Sequence, residues 1–141
     1  MNRGVGILIV RNDKILLGHR CEGWSNRTWT MPGGKLGKRE KPEDGAKREV
    51  KEETGLEVDK LELISVNKDM IKDKEFATYI FKSEIVTGEP KIMEPKEINK
   101  WKWFDFKKLP HLLYLSSCAN NRWLYHNIAQ RINQLILCWF S

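Results

Sequence analysis

Residues Gly34 to Leu56 read Gly-Lys-Leu-Gly-Lys-Arg-Glu-Lys-Pro-Glu-Asp-Gly-Ala-Lys-Arg-Glu-Val-Lys-Glu-Glu-Thr-Gly-Leu. The second half of this stretch carries the start and stop signals of a helix. Pro42 suits a first helical turn, and Glu43 and Asp44 follow it, where the helix dipole favours anions. Gly55 suits a left-handed C-terminal cap. Between them the spacing predicts about three helical turns. It sets Glu49, Glu52 and Glu53 at i, i+3 and i+4, so three carboxylates share one face.

That helix has little to bury. Ala46 and Val50 are the only apolar side chains of its interior, a narrower stripe than a core helix presents. Like charges at this spacing cost about 0.2–0.5 kcal/mol per pair. A divalent cation would reverse the sign, and Mg²⁺ takes oxygen ligands from carboxylates, waters and substrate phosphates. Taken alone, the helix also fits a solvated surface. Lys47, Arg48 and Lys51 interleave with the acids, and Glu43/Lys47 and Asp44/Arg48 are favourable i, i+4 pairs.

The loop ahead of the helix decides between these. The pattern is Gly34, five residues, Glu40, seven residues, Arg48-Glu49-Val50, one residue, Glu52-Glu53, one residue, Gly55-Leu56. It resembles the signature of the Nudix hydrolases without departure. Seven fixed residues at roughly 6% background each make a chance match on the order of one in a billion per starting position. The resemblance implies hydrolysis of a nucleoside diphosphate linked to a further group. It also implies a fold of α/β (α+β) class: an α/β/α sandwich with a mixed central sheet.

Just before the signature stand Trp29-Thr30-Met31-Pro32-Gly33-Gly34. A tryptophan and a Pro-Gly-Gly turn here resemble the MutT-like branch, which implies a backbone carbonyl at Gly33 in the metal shell. A plain tight turn is the alternative, and Trp29 is expected in the core before a base-stacking role. Farther on, Glu94-Pro95-Lys96-Glu97 followed by Trp101-Lys102-Trp103-Phe104 resembles the nucleoside triphosphate diphosphatases of the family. The resemblance implies a further carboxylate from this loop, with Glu94 the candidate and Glu97 the runner-up; a solvated loop acid is the alternative.

The remaining chain reads as strands and turns. Gly4 to Val10 and Ile15 to Leu17 are strands around a turn at Arg11 to Lys14. The second strand delivers His19, a surface residue, and Arg20, a forked cation suited to phosphate or to an ordinary ion pair. Arg20 and Lys35 are the substrate-binding candidates. Lys60 to Asn67 and Glu75 to Glu84 have strand character, with Lys68 to Lys74 as the connection. Ile85 to Pro90 reads as a turn, Lys91 to Glu97 as a loop and Lys100 to Phe104 as a strand. A short helix is expected to start at Asp105 and end at Pro110. A longer one, about 120–138, carries Leu124, Ile128, Ile132 and Leu135 at helical spacing.

Length and composition set outer bounds. The 141 residues suit a single domain, 1–141, with the signature at 34–56. A net charge of +6 fits a polyanionic partner such as a nucleotide. Cys21, Cys118 and Cys138 lack metal-ligand spacing, and an odd count without a secretory signal suggests reduced thiols and a cytoplasmic protein. The longest apolar run, Leu135 to Phe140, is too short for a bilayer but leaves room for a homodimer contact.

These readings give one chemical expectation. Mg²⁺, with Mn²⁺ as a substitute, would be held by Gly33, Glu49, Glu52, Glu53 and Glu94. Either Glu53 or Glu49 would take the proton of the attacking water. Arg48 would orient Glu49 or the loop. Gly34, Glu40 and Gly55 would serve the architecture, Glu40 by tying loop to helix. The expected substrate is a nucleoside triphosphate, split into monophosphate and pyrophosphate. ADP-ribose, dinucleoside polyphosphates and capped RNA stay open as substrates, as does a non-catalytic nucleotide- or RNA-binding module. Neither a membrane nor a nucleic-acid partner is expected.

Overall fold

The computed structural model describes residues 2–21, 29–71, 73–105, 108 and 113–114. Ten strands and one helix follow in the order β1 (Asn2–Arg11), β2 (Lys14–Arg20), β3 (Trp29–Thr30), β4 (Gly33–Lys35), α1 (Pro42–Thr54), β5 (Glu57–Asp59), β6 (Glu62–Ile71), β7 (Lys74–Ser83), β8 (Ile85–Thr87), β9 (Ile98–Asp105) and β10 (Leu113–Tyr114). The main sheet is mixed. Its path is β10-β3-β2-β1-β7-β6, with β4 also paired to β1 and β9 to β2. β1 runs parallel to β7, while β2, β4 and β9 pair antiparallel with their neighbours. This is the α+β class with a mixed sheet; the helix expected at 120–138 lies outside the described residues.

The central strands follow from their composition. β1 buries Val5, Ile7, Leu8, Ile9 and Val10, so both its faces are covered, as a near-continuous apolar run requires. β7 likewise buries Ala77 and Phe81 on one face and Thr78 and Ile80 on the other. Asn12 and Asp13 take positive φ, 52° and 61°. That geometry matches a two-residue hairpin turn, and these residue types tolerate it.

Helix α1 begins with Pro42 in its first turn and ends on Gly55 at φ 75°, whose N–H donates to the Lys51 carbonyl. It buries Gly45, Ala46, Val50 and Thr54. Ala46 and Val50 pack with Val5, Ile7, Ile9, Leu16, Leu56, Val58 and Phe81. Burying Val50 alone is worth about 1.5–3 kcal/mol. Thr54 Oγ1 donates to the Val50 carbonyl at 2.6 Å and accepts from the Leu56 N–H at 3.1 Å, which satisfies the buried helix end. With the apolar contact this narrow, Glu49 and Glu53 beside it are left to face Gly34 and Gly33 of β4.

Two expectations are corrected. The connection between β6 and β7 is confined to residues 72–73, because pairing runs out to Ile71↔Lys74. Ile85 to Thr87 is not a turn but a strand paired with β5, and Gly88 at φ 102° makes the bend instead. Asp105 itself closes β9, paired with Lys14; most of the short helix expected from there to Pro110 lies outside the described residues, and Lys108 within it is in a 3-10 turn.

Candidate active site

The site is built where α1 meets the Pro-Gly-Gly turn. Arg48 is its organiser. Its Nε and Nη2 donate to the two Glu40 oxygens at 2.8 and 2.9 Å, a forked charge-assisted pair. Nη1 donates to Glu49 Oε1 at 2.9 Å and to Glu52 Oε2 at 3.1 Å, and Nη2 also reaches the Lys35 carbonyl at 3.1 Å. Helical spacing would equally allow Arg48 to pair with Asp44; the fork of Glu40 draws it the other way. Lys47 likewise turns to Asp59, at 3.9 Å.

Glu40 therefore joins loop to helix. It also accepts from the Gly37 N–H at 3.0 Å. Hydrogen bonding by Arg48 and then by this amide lowers its pKa from 4.5 to about 2. Gly34 lies against Glu49 so closely that an added Cβ would stand 2.5 Å from the carboxyl carbon. A methyl could enter there only if the Glu49 carboxyl swung aside.

The acids form a graded set. Glu52 is exposed, while Glu49 and Glu53 are partly buried. Burial raises the Glu49 pKa, against the pull of Arg48. Burial, then repulsion by Glu49, pushes Glu53 up to about 9, and the Gly33 N–H opposes this only in part. Glu94 is also raised, by burial and by Glu97 beside it. Each of the three owes its shift first to lost solvation, to which the neighbouring acids add.

The Glu94 loop reaches the same place through β2. The Cys21 N–H donates to the Glu97 carbonyl at 3.0 Å, and Cys21 Sγ to the Lys96 carbonyl at 3.1 Å. A cavity of about 500 Å³ results. Gly33, Gly34, Glu49, Glu52, Glu53, Glu94, Glu97 and Arg20 line it, with Val5, Gly6, Thr30, Met31 and Ile98. The structure thus brings together every candidate ligand and Arg20. The Lys35 side chain is exposed and is not part of this wall. Gly55 serves only the helix end. Trp29 stands outside the cavity lining, edge-on to His19 and Phe104 at 5.0 and 4.8 Å.

The apolar wall escaped the sequence reading because Val5, Met31 and Ile98 look like ordinary core. Among the described residues, no three His, Cys, Asp or Glu side chains already converge on one point. The donors are nonetheless all oxygen, which suits a hard cation, and two positive charges would relieve the burial of Glu53.

The NUDIX domain profile matches residues 1–123, most of the chain. The chain belongs to the NUDIX family. A MutT NUDIX hydrolase structure from Burkholderia pseudomallei superposes with a TM-score of 0.73 at 30% identity, over 79% of this chain and 88% of that one. The mouse oxidized purine nucleoside triphosphate hydrolase is 33% identical over 106 residues, 74% of this chain and 66% of that protein. The m7GpppN-mRNA hydrolase of Saccharomyces cerevisiae is 34% identical over 121 residues, 82% of this chain. This NUDIX chain spans only 12% of that yeast protein's length. No helix among its described residues is long and apolar enough to cross a membrane.

Proposed function

We propose that this NUDIX hydrolase cleaves a phosphoanhydride bond of a nucleoside triphosphate, releasing a monophosphate and pyrophosphate. The observation that carries this reading is the gathering of Glu49, Glu52, Glu53 and Glu94 on one cavity with Arg20. An acidic wall repels a polyphosphate unless cations intervene. The all-oxygen donor set fits Mg²⁺, or Mn²⁺ in its place, held by the Gly33 carbonyl, Glu49, Glu52, Glu53 and Glu94. When bound, such a metal neutralises phosphate charge and lowers the pKa of a water.

The chain's own residues do the rest. Glu53 or Glu49 takes the water's proton; both stand on the cavity wall. Arg48 fixes the orientation of Glu49 and Glu52. Arg20, on the same wall, is the fork for a substrate phosphate. Val5, Met31 and Ile98 offer apolar surface for a base. A space of about 500 Å³ suits one nucleoside and its phosphate chain. The mouse relative, named for oxidized purine nucleoside triphosphates, supports the same substrate class.

The 5′ end of an RNA is a second reading. It is favoured by similarity to the yeast mRNA hydrolase and to the RNA pyrophosphohydrolase of Zymomonas mobilis, 27% identical over 134 residues. The test measures kcat/KM with Mg²⁺ for deoxynucleoside triphosphates, an oxidised guanine triphosphate, ADP-ribose, a diadenosine polyphosphate, and triphosphorylated and capped oligonucleotides. The triphosphates are expected to lead. If another substrate wins by tenfold, about 1.4 kcal/mol of transition-state binding, the triphosphate reading falls.

A further inference from the structure

Arg3 lies at the start of β1, far in sequence from every acid of the site. Its Nη2 donates to the carbonyls of Gly37 and Glu40 at 2.9 and 3.0 Å, with Lys38 O at 3.5 Å. Gly37 and Glu40 are the two ends of one tight turn, closed by the Glu40 N–H to the Gly37 carbonyl at 3.2 Å. The Leu36 N–H donates to the Arg3 carbonyl at 2.9 Å, so main chain and side chain of Arg3 both hold this loop.

The placement has an electrostatic cost. Lys38 and Arg39 sit inside the turn and Lys41 just after it, all exposed, and a fourth cation among them is repelled. Against these cations stands the Glu40 carboxylate, whose pKa the Arg3 charge helps to lower, and the converging carbonyls fix where the guanidinium sits. Their consequence runs further. Arg3 holds residue 40 by its main chain, while Arg48 holds it by its carboxylate. Arg48 in turn holds Glu49 and Glu52.

We propose that Arg3 is a positioning residue for the acidic face, acting on Glu49 and Glu52 through the 37–40 turn, Glu40 and Arg48. This rests on the hydrolase reading above, in which that face holds a divalent ion. Releasing the turn lets Glu40 drift, and the Arg48 fork loses the partner that fixes it.

The test uses the full chain without nucleotide. Arg3→Met keeps the length and removes charge and donors; Arg3→Lys keeps a charge and donors. Mn²⁺ affinity is measured by titration, and amide exchange at Gly37 and Glu40 by NMR or mass spectrometry. Arg3→Met is expected to speed exchange at both amides and to weaken Mn²⁺ binding about tenfold, as loss of a partner behind metal ligands does. Arg3→Lys should recover most of both, and it decides the matter if Arg3→Met fails to fold. In a Glu40→Gln background, Arg3→Met should change Mn²⁺ affinity less than about twofold, because the two act along one route. Unchanged Mn²⁺ affinity in Arg3→Met, or an undiminished loss in the Glu40→Gln background, overturns the role of Arg3 alone. A parent protein that binds no Mn²⁺ overturns the hydrolase reading itself.

Discussion

The amide N–H of Gly33 donates to Glu53 Oε2 at 3.4 Å, joining the turn before the signature to the last turn of α1, twenty residues on. The bond favours an ionised Glu53, yet burial and the charge of Glu49 overrule it and hold the proton up to about pH 9.

Glu53→Gln preserves shape and removes the charge. Phosphate release with Mg²⁺ should fall at least about a hundredfold, the scale of a lost general base or ligand. Full activity would remove Glu53 from the chemistry.

The same variant makes a pH prediction in metal-free buffer. The folded pKa lies above the ordinary 4.5, so the folded state keeps a proton that the unfolded chain has released. Stability from this group is whole below pH 4.5 and drains away as pH rises towards 9. Melting temperatures of the parent should decline over that window. Those of Glu53→Gln should decline less, and saturating Mg²⁺ should narrow the gap.

Glu40 has the opposite sign. Its folded pKa is depressed to about 2, so its contribution is present above pH 4.5 and is lost as pH falls to about 2. Glu40→Gln should cost about 1–2 kcal/mol at neutral pH, after allowing for solvent at this half-open pair. Acid titration followed by circular dichroism should show a shallower decline between pH 4.5 and 2 than in the parent.

Gly34→Ala tests close approach. The new methyl would meet the Glu49 carboxyl at 2.5 Å, and the side chain can swing aside more cheaply than the backbone. Activity should therefore drop by at least about tenfold, as expected for a misplaced reactive group, while the melting temperature moves little. An unaltered kcat would mean that Glu49 tolerates displacement.

Glu94 and Glu97 both line the cavity, but only Glu94 is partly buried. Glu94→Ala should raise the Mg²⁺ requirement or lower turnover more than Glu97→Ala. The reverse ranking would transfer the role to Glu97, and indifference to both would free the loop of any part in the reaction.

Local signals made half of this legible. Pro42, Gly55 and the i, i+3, i+4 acids announce the helix and its face without reference to any other part of the chain. Strands of two or three residues, such as Trp29–Thr30, Gly33–Lys35 and Ile85–Thr87, do not, because their partners define them and not their composition. Arg3 was invisible for the same reason: the carbonyls it gathers are 34 and 37 residues away. Lys35, the other substrate-binding candidate, is exposed and outside the cavity lining, and only an assay of Lys35→Ala with substrate decides its part.

The thiol of Cys21 reaches a carbonyl 75 residues along the chain. The two walls of the cavity therefore cannot face each other until distant segments have met, and closing so long a loop is slow and entropically costly. During refolding, α1 can form early from its own signals, but it will flank an open groove. Helical signal should return before enzymatic competence does, with the interval set by the zipping of β2 onto β9.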